Sequence, residues 1–351
     1  MPRRPDATFQ IRAPETAGSH VLDLLGGVVR HRPLSGEEAL RALQKLEVDA
    51  ARGNPTAQTE FARYLLTDAP DYKKNRRSVL LLKNAVKANL PQAKHLLGLL
   101  MMRGQGMKPD PEQGAALLKE AALAGIPDAA LDFAKAAHLG FGLPASPETA
   151  LYWWRIAGAQ GKVTGQRRAG LAYRDGLGTA PDPDQAAKWL TQAAKAGDPD
   201  SQYALARLHL QRNWEARDPD ESRRWMREAA LSGVVDAQYR LGVFFWSGRG
   251  GRVDLREAVR WMCRAAENGS TLAMTTLSGF FLTGNALPLN RPHAYALLKA
   301  ASLRGDASAM ATLPSLTMML TPKERRQAER LVKASKTDKT LLETLIPRAE
   351  R

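Results

Sequence analysis

"KWLTQAAKAGDPDSQYALARL" occupies Lys188–Leu208, and 36 residues further on "RWMREAALSGVVDAQYRLGVF" occupies Arg224–Phe244. Both stretches hold a Trp, an Ala pair, a Gly and then a second small and apolar run, and recurrence at a fixed spacing marks a repeat architecture. With Gly197 as anchor, steps of 36 land on Gly161, Gly125, Asn89 and Gly53 in one direction and on Gly233, Gly269 and Gly305 in the other. Seven of these eight anchors are Gly and the eighth is Asn, the next best residue at positive φ.

Other columns keep the same frame. Eight residues before the anchor stand Leu81, Leu117, Trp153, Trp189, Trp225, Trp261 and Leu297, and four before it stands Ala in each of these repeats. Eight after it stand Phe61, Leu97, Phe133, Ala169, Leu205, Leu241, Leu277 and Leu313, followed by small residues from Ala62 to Ser278. Offsets of four and eight share one helical face, so each repeat carries two amphipathic helices, one on either side of the anchor. The breaks are chemical as well. Asp110, Ser146, Asp182, Asp218, Asp254 and Asn290 are N-cap residues, and Pro111, Pro147, Pro183 and Pro219 follow at a first helical position, where a missing N–H costs nothing. One hairpin cannot bury these stripes, whereas stacked hairpins can. The expected fold is therefore all-α: a solenoid of stacked 36-residue helix-turn-helix repeats.

In these residues the chain resembles the Sel-one-like repeat family, a relative of the tetratricopeptide repeat. "EAVRWMCRAAENGSTLAMTTLSGFFLTG" and "SRRWMREAALSGVVDAQYRLGVFFWSGRG" follow its pattern well, and "YKKNRRSVLLLKNAVKANLPQAKHLLGLLMMRGQG" follows it with Leu for Trp and Asn for Gly. The resemblance implies a superhelix with a concave surface lined by the first helix of each repeat, and an adaptor function. Exported relatives staple their repeats with Cys pairs. This chain has the single Cys263 and no such pairs, which fits a reducing compartment.

Residues 1–33 fall outside the frame and read as a disordered or docking segment, 34–320 as the solenoid, and 321–351 as a capping helix and tail. Pro314 breaks the small column, and "KERRQAERLVKAS" after Thr321-Pro322 supplies the polar outer helix that a terminal repeat needs. No secretory leader and no membrane-spanning run is evident, and the expected location is cytoplasmic.

No catalytic constellation emerges. The six His are too scattered to form a metal pair on one helix, so neither metal nor cofactor is expected. The Gly-x-Gly motifs at 104, 140, 176 and 248 recur with the repeat and read as helix connections, not phosphate loops. Cys263 shares a column with Lys83, Lys119, Arg155, Arg227 and Lys299, and reads as a chance substitution on an exposed ridge.

The formal net charge of +15 favours acidic partners. Two candidate surfaces follow. On the first helices, Arg167, Arg168, Arg174, Tyr203, Arg207, Tyr239, Arg240 and Trp246 are the types enriched at binding hot spots, with Arg63 and Lys135 in related columns. They suit an acidic protein or peptide segment. On the second helices, Lys188, Arg224, Arg252, Arg256, Arg260 and Arg264 form a basic track that suits nucleic acid or another anionic polymer. The first reading, a non-enzymatic scaffold, is favoured: no nucleic-acid module is present, and the aromatics fall mostly in the core phase. No catalytic set supports a hydrolase.

Overall fold

The computed structural model describes residues 36–67, 71–211, 213–334 and 337–346. The first 33 residues, assigned above to a separate segment, and the tail from 347 lie outside the described residues. Among the described residues there are 18 helices and no strand. They fall into two compact units, one reaching to Gly165 and including Leu177–Thr179, the other holding Gln166–Gly176 and the described residues from Ala180.

The first unit holds α1 (Gly36–Ala51), α2 (Pro55–Leu65), α3 (Tyr72–Lys87), α4 (Pro91–Arg103), α5 (Pro111–Leu123), α6 (Pro127–Leu139), α7 (Pro147–Ala159) and the start of α8 (Val163–Asp175). The second holds the rest of α8, then α9 (Pro183–Lys195), α10 (Pro199–Leu208), α11 (Pro219–Leu231), α12 (Val235–Ser247), α13 (Leu255–Glu267), α14 (Thr271–Thr283), α15 (Arg291–Leu303), α16 (Ala307–Met319), α17 (Pro322–Ala334) and α18 (Asp338–Leu345). From α1 to α7, and again from α9 to α16, each helix packs against the next in the chain.

The local chemistry read from the sequence places these boundaries. All eight anchors have positive φ, from 59° at Asn89 to 92° at Gly233 and Gly269. Asp110, Ser146, Asp182, Asp218, Asp254 and Asn290 each accept a hydrogen bond from a backbone N–H of the helix they cap. The Gly-x-Gly motifs do connect helices. Gly104, Gly140 and Gly248 end α4, α6 and α12 in the left-handed conformation. The second Gly is required for close approach: a Cβ on Gly142 would lie 2.0 Å from the Pro111 carbonyl oxygen, and one on Gly250 2.2 Å from that of Pro219. Among the described residues two repeats depart from this. Ala286 takes the second Gly position at φ 71°. Trp214 takes it in another repeat, buried and donating from Nε1 to Asp184 Oδ1 at 2.9 Å.

The deepest core column lies one residue beyond the Trp column. Leu82, Leu118, Trp154, Leu190, Met226, Met262 and Leu298 are all buried, whereas Trp189 and Trp225 are half-buried beside the buried Trp153 and Trp261. The small column after the anchor faces this one. Cβ atoms on Gly98, Gly170 and Gly242 would fall 3.2, 2.7 and 2.7 Å from side-chain carbons of Leu118, Leu190 and Met262. A further small column, Ser78, Gly114, Ala150, Ala186, Ser222, Ala258 and Ala294, is buried throughout. Ser222 Oγ donates across this crossing to the Ala206 carbonyl at 2.7 Å.

The C-terminal end corrects one expectation. Cys263 is not on an exposed ridge. It is 2% exposed, in one buried cluster with Leu341, Leu342, Leu345 and Ile346 of the terminal segment, because α18 folds back against α13. The polar helix α17 packs against α15, leaving Met310, Met318 and Met319 of α16 exposed.

Candidate protein-binding face

The eight first-helix candidates and the six residues of the basic track lie in the second unit, whereas Arg63 and Lys135 lie in the first. Tyr203 on α10 is the centre of the best-formed cluster. Arg240 on α12 donates from Nε to the Tyr203 hydroxyl at 2.8 Å. Arg207, one turn after Tyr203, sets its guanidinium carbon 5.7 Å from the ring centroid. Such cation–π contacts contribute about 0.5–1 kcal/mol at exposed sites and orient the cation. Arg207, Arg240 and Arg168 are all exposed, and among the described residues none of the three forms an ion pair with a carboxylate. Tyr203 thus carries two oriented guanidinium groups whose remaining donors face solvent.

The other first-helix candidates divide differently. Arg167 bridges Asp198 at 2.9 Å and Asp200 at 2.6 Å, so it braces α8 against the N-terminus of α10. Arg174 is held by its neighbour Asp175, with Nε 2.7 Å from Oδ1. Tyr239 is half-buried against the core cluster of α13–α18. Trp246 is exposed, with its ring centroid 5.7 Å from that of Phe280. Of the eight candidates the structure therefore joins Tyr203, Arg207 and Arg240, leaves Arg168 and Trp246 exposed, packs Tyr239 against the core, and uses Arg167 and Arg174 internally.

In the first unit several basic side chains meet carboxylates. His95 meets Asp132 at 2.7 Å, and Asp132 also offsets the burial of Arg103. Arg63 lies 3.3 Å from Glu60, whose carboxyl is raised by burial and lowered by Arg63. Lys94 pairs with Glu120 at 2.7 Å.

The second-helix track is also partly neutralised. Arg224 pairs with Glu221 at 2.9 Å and stacks near Trp225, and Arg260 pairs with Glu257. Arg264 sits 4.9 Å from the Trp261 ring centroid. Lys188, Arg252 and Arg256 are exposed. Sequence reasoning missed Arg223, which lies 4.1 Å from the Phe245 ring centroid and donates to the carbonyls of Gly250 and Arg252.

Three of the histidines pack against aromatic rings. His138 lies on Trp154, His209 on Trp214 and His293 on Phe281, with centroids 5.4, 5.0 and 5.1 Å apart. Their buried Nδ1 atoms have no hydrogen-bond partner. Burial holds His209 and His293 below the ordinary imidazole value. Among the described residues no three His, Cys, Asp or Glu side chains come together to hold a metal, and no helix is long and apolar enough to cross a membrane.

Comparison with known proteins agrees with this architecture. The Sel1 repeat pattern matches residues 91–126, 127–162, 163–198, 199–234, 235–270 and 272–306. Among solved structures, a Sel1 repeat protein from Oxalobacter formigenes is 24% identical, covers 70% of this chain and 96% of its own, and superposes with a TM-score of 0.56. The Escherichia coli protein c5321, a protective antigen present in uropathogenic strains and displaying an SLR fold, is 21% identical. The match covers 88% of this chain and 73% of that one, with a TM-score of 0.51. No curated protein matches the sequence. With six consecutive repeats in register and the same helical-hairpin fold, this chain belongs to the Sel1 repeat family, within the tetratricopeptide-like superfamily.

Proposed function

We propose that this chain is a non-enzymatic scaffold that binds acidic segments of partner proteins on the first helices of its second unit. Sel1 repeat proteins are in general protein-interaction scaffolds. The observation that carries the finer reading is Tyr203 with Arg207 and Arg240 arrayed around it and no carboxylate paired with either cation. A carboxylate-bearing segment supplies that missing charge. The pre-oriented guanidinium groups lose little freedom on meeting it, and each can donate to it bidentately. The basic track serves here as long-range attraction. Its pairing of Arg224 with Glu221 and of Arg260 with Glu257 leaves less free charge for a polyanion.

The test is affinity capture from a cell extract at low and high salt, with and without nuclease. The chain and its Arg168→Ala/Arg207→Ala/Arg240→Ala variant serve as baits. The reading expects discrete acidic proteins on the first bait, lost from the second and indifferent to nuclease. Nucleic acid that vanishes with nuclease and binds both baits equally favours the polyanion reading instead.

A further inference from the structure

The column that holds Cys263 is exposed at Lys83, Lys119, Arg155 and Arg227, yet Cys263 is buried. Its cover is α18. This helix has eight residues and lies outside the 36-residue frame. One side of it is exposed, and the other buries Leu341, Leu342 and Leu345, with Ile346 following, in the cluster that contains Val259 and Cys263 of α13. It touches both second helices of the last full repeats. It packs against α13 and the neighbouring α17, His293 of α15 faces the Leu345 backbone, and Arg304, just past α15, pairs with Asp338 in its first turn. A capping box of Thr337 and Thr340 closes its N-terminus.

Isolated helices shorter than about 12–15 residues are marginal in water, so α18 owes its fold to docking. Elements held by one face and a few contacts are the ones that open locally while the remainder stays folded. We infer that the surface formed by α13 and α15 is a helix-receiving groove and that α18 is its displaceable ligand in cis. α18 lifts away as a unit while the repeats remain folded. The groove it uncovers then takes an amphipathic helix with the same Leu-Leu-x-x-Leu-Ile pattern behind an acidic first turn. This surface lies on second helices and is separate from the first-helix cluster at Tyr203.

Cys263 is the chain's one thiol, so its reaction with an aromatic disulfide reagent reports undocking directly in the full chain. The inference expects labelling well below the urea midpoint, far faster than global unfolding and only weakly dependent on urea. Leu342→Ala should speed labelling by about 30-fold or more, with the thermal transition of the repeats almost unmoved. Asp338→Asn, which removes only the pair with Arg304, should speed it by about twofold to fivefold and serves if Leu342→Ala fails to fold. A synthetic peptide of residues 337–346 in excess should slow labelling of the chain carrying the weakened strap. Labelling that follows global unfolding with steep urea dependence in every chain overturns the proposal, and so does a peptide that gives no protection.

Discussion

Arg240 Nε donates to the hydroxyl of Tyr203, 37 residues earlier, and thereby ties the first helices of two consecutive repeats at 2.8 Å. His95 and Asp132 are also 37 residues apart and occupy the equivalent positions in the other unit. One architectural contact is thus filled in two chemical ways. In the first unit it joins an imidazole to a carboxylate. In the second it orients a cation and leaves its charge unanswered. The same register therefore holds a closed contact in one unit and, in the other, the contact proposed above for recognition.

Where the second position of a connection is Gly and abuts the preceding helix, an added side chain should be costly. Gly250→Ala combines a φ of +65° with a Cβ 2.2 Å from the Pro219 carbonyl oxygen. It should cost more than the roughly 1–2 kcal/mol of left-handed strain alone. Gly269→Ala, with φ +92° and nothing within 4 Å of the new Cβ, should cost only that strain. Ala286→Gly should be stabilising, by roughly 0.5–1 kcal/mol, because it relieves the strain of a left-handed Ala. Urea midpoints at constant m-value check the order.

Acid should weaken the second unit through His209 and His293. Burial is the largest cause of the lowered value at each, opposed at His209 by Glu221 and Asp218 and at His293 by the Leu345 backbone. In the unfolded chain each His takes up its proton near the ordinary value of 6.5, while the folded chain takes it up only at lower pH. Stability is therefore full above that value and falls as pH drops through it. The His209→Gln/His293→Gln variant should lose part of the drop in melting temperature between about pH 7.5 and pH 5.5. An unchanged drop shows that neither imidazole is responsible.

Deleting residues 322–351 should cause aggregation. It strips α17 and α18 from α15 and α13 and uncovers the cluster around Cys263, in addition to the Met residues already exposed on α16. Light scattering after purification checks this. A soluble truncation with an unchanged melting temperature shows that these helices are dispensable.

The parts of this molecule that were legible in its sequence are those with local causes. The anchors need positive φ, the caps need a side-chain acceptor and the prolines need a first-turn position, so Gly197, Asp182 and Pro183 announced their roles from their neighbours alone. The core column was read one residue early, because Trp189 and Trp225 draw attention while the deeper Leu190 and Met226 do not. Within the site, Arg174 beside Asp175 was a readable local pair. The use of Arg167 by Asp198 and Asp200, 31 and 33 residues away, became visible only once the helices were packed. α18 carries no repeat signature, and its docking on α13 is wholly tertiary, which is why Cys263 was misplaced.

The claim that the first-helix cluster reads acidic protein segments is tested most directly by selecting a random displayed-peptide library on the intact chain. Association and dissociation of the enriched peptides are then measured at two salt concentrations. The account predicts Asp- and Glu-rich peptides. Arg168→Ala/Arg207→Ala/Arg240→Ala should raise their dissociation rate and lower affinity, whereas Arg256→Ala/Arg260→Ala/Arg264→Ala should mainly slow association and flatten its salt dependence. Enriched peptides without acidic character, or acidic ones whose affinity survives loss of the Tyr203 cluster and disappears with the track, would contradict it.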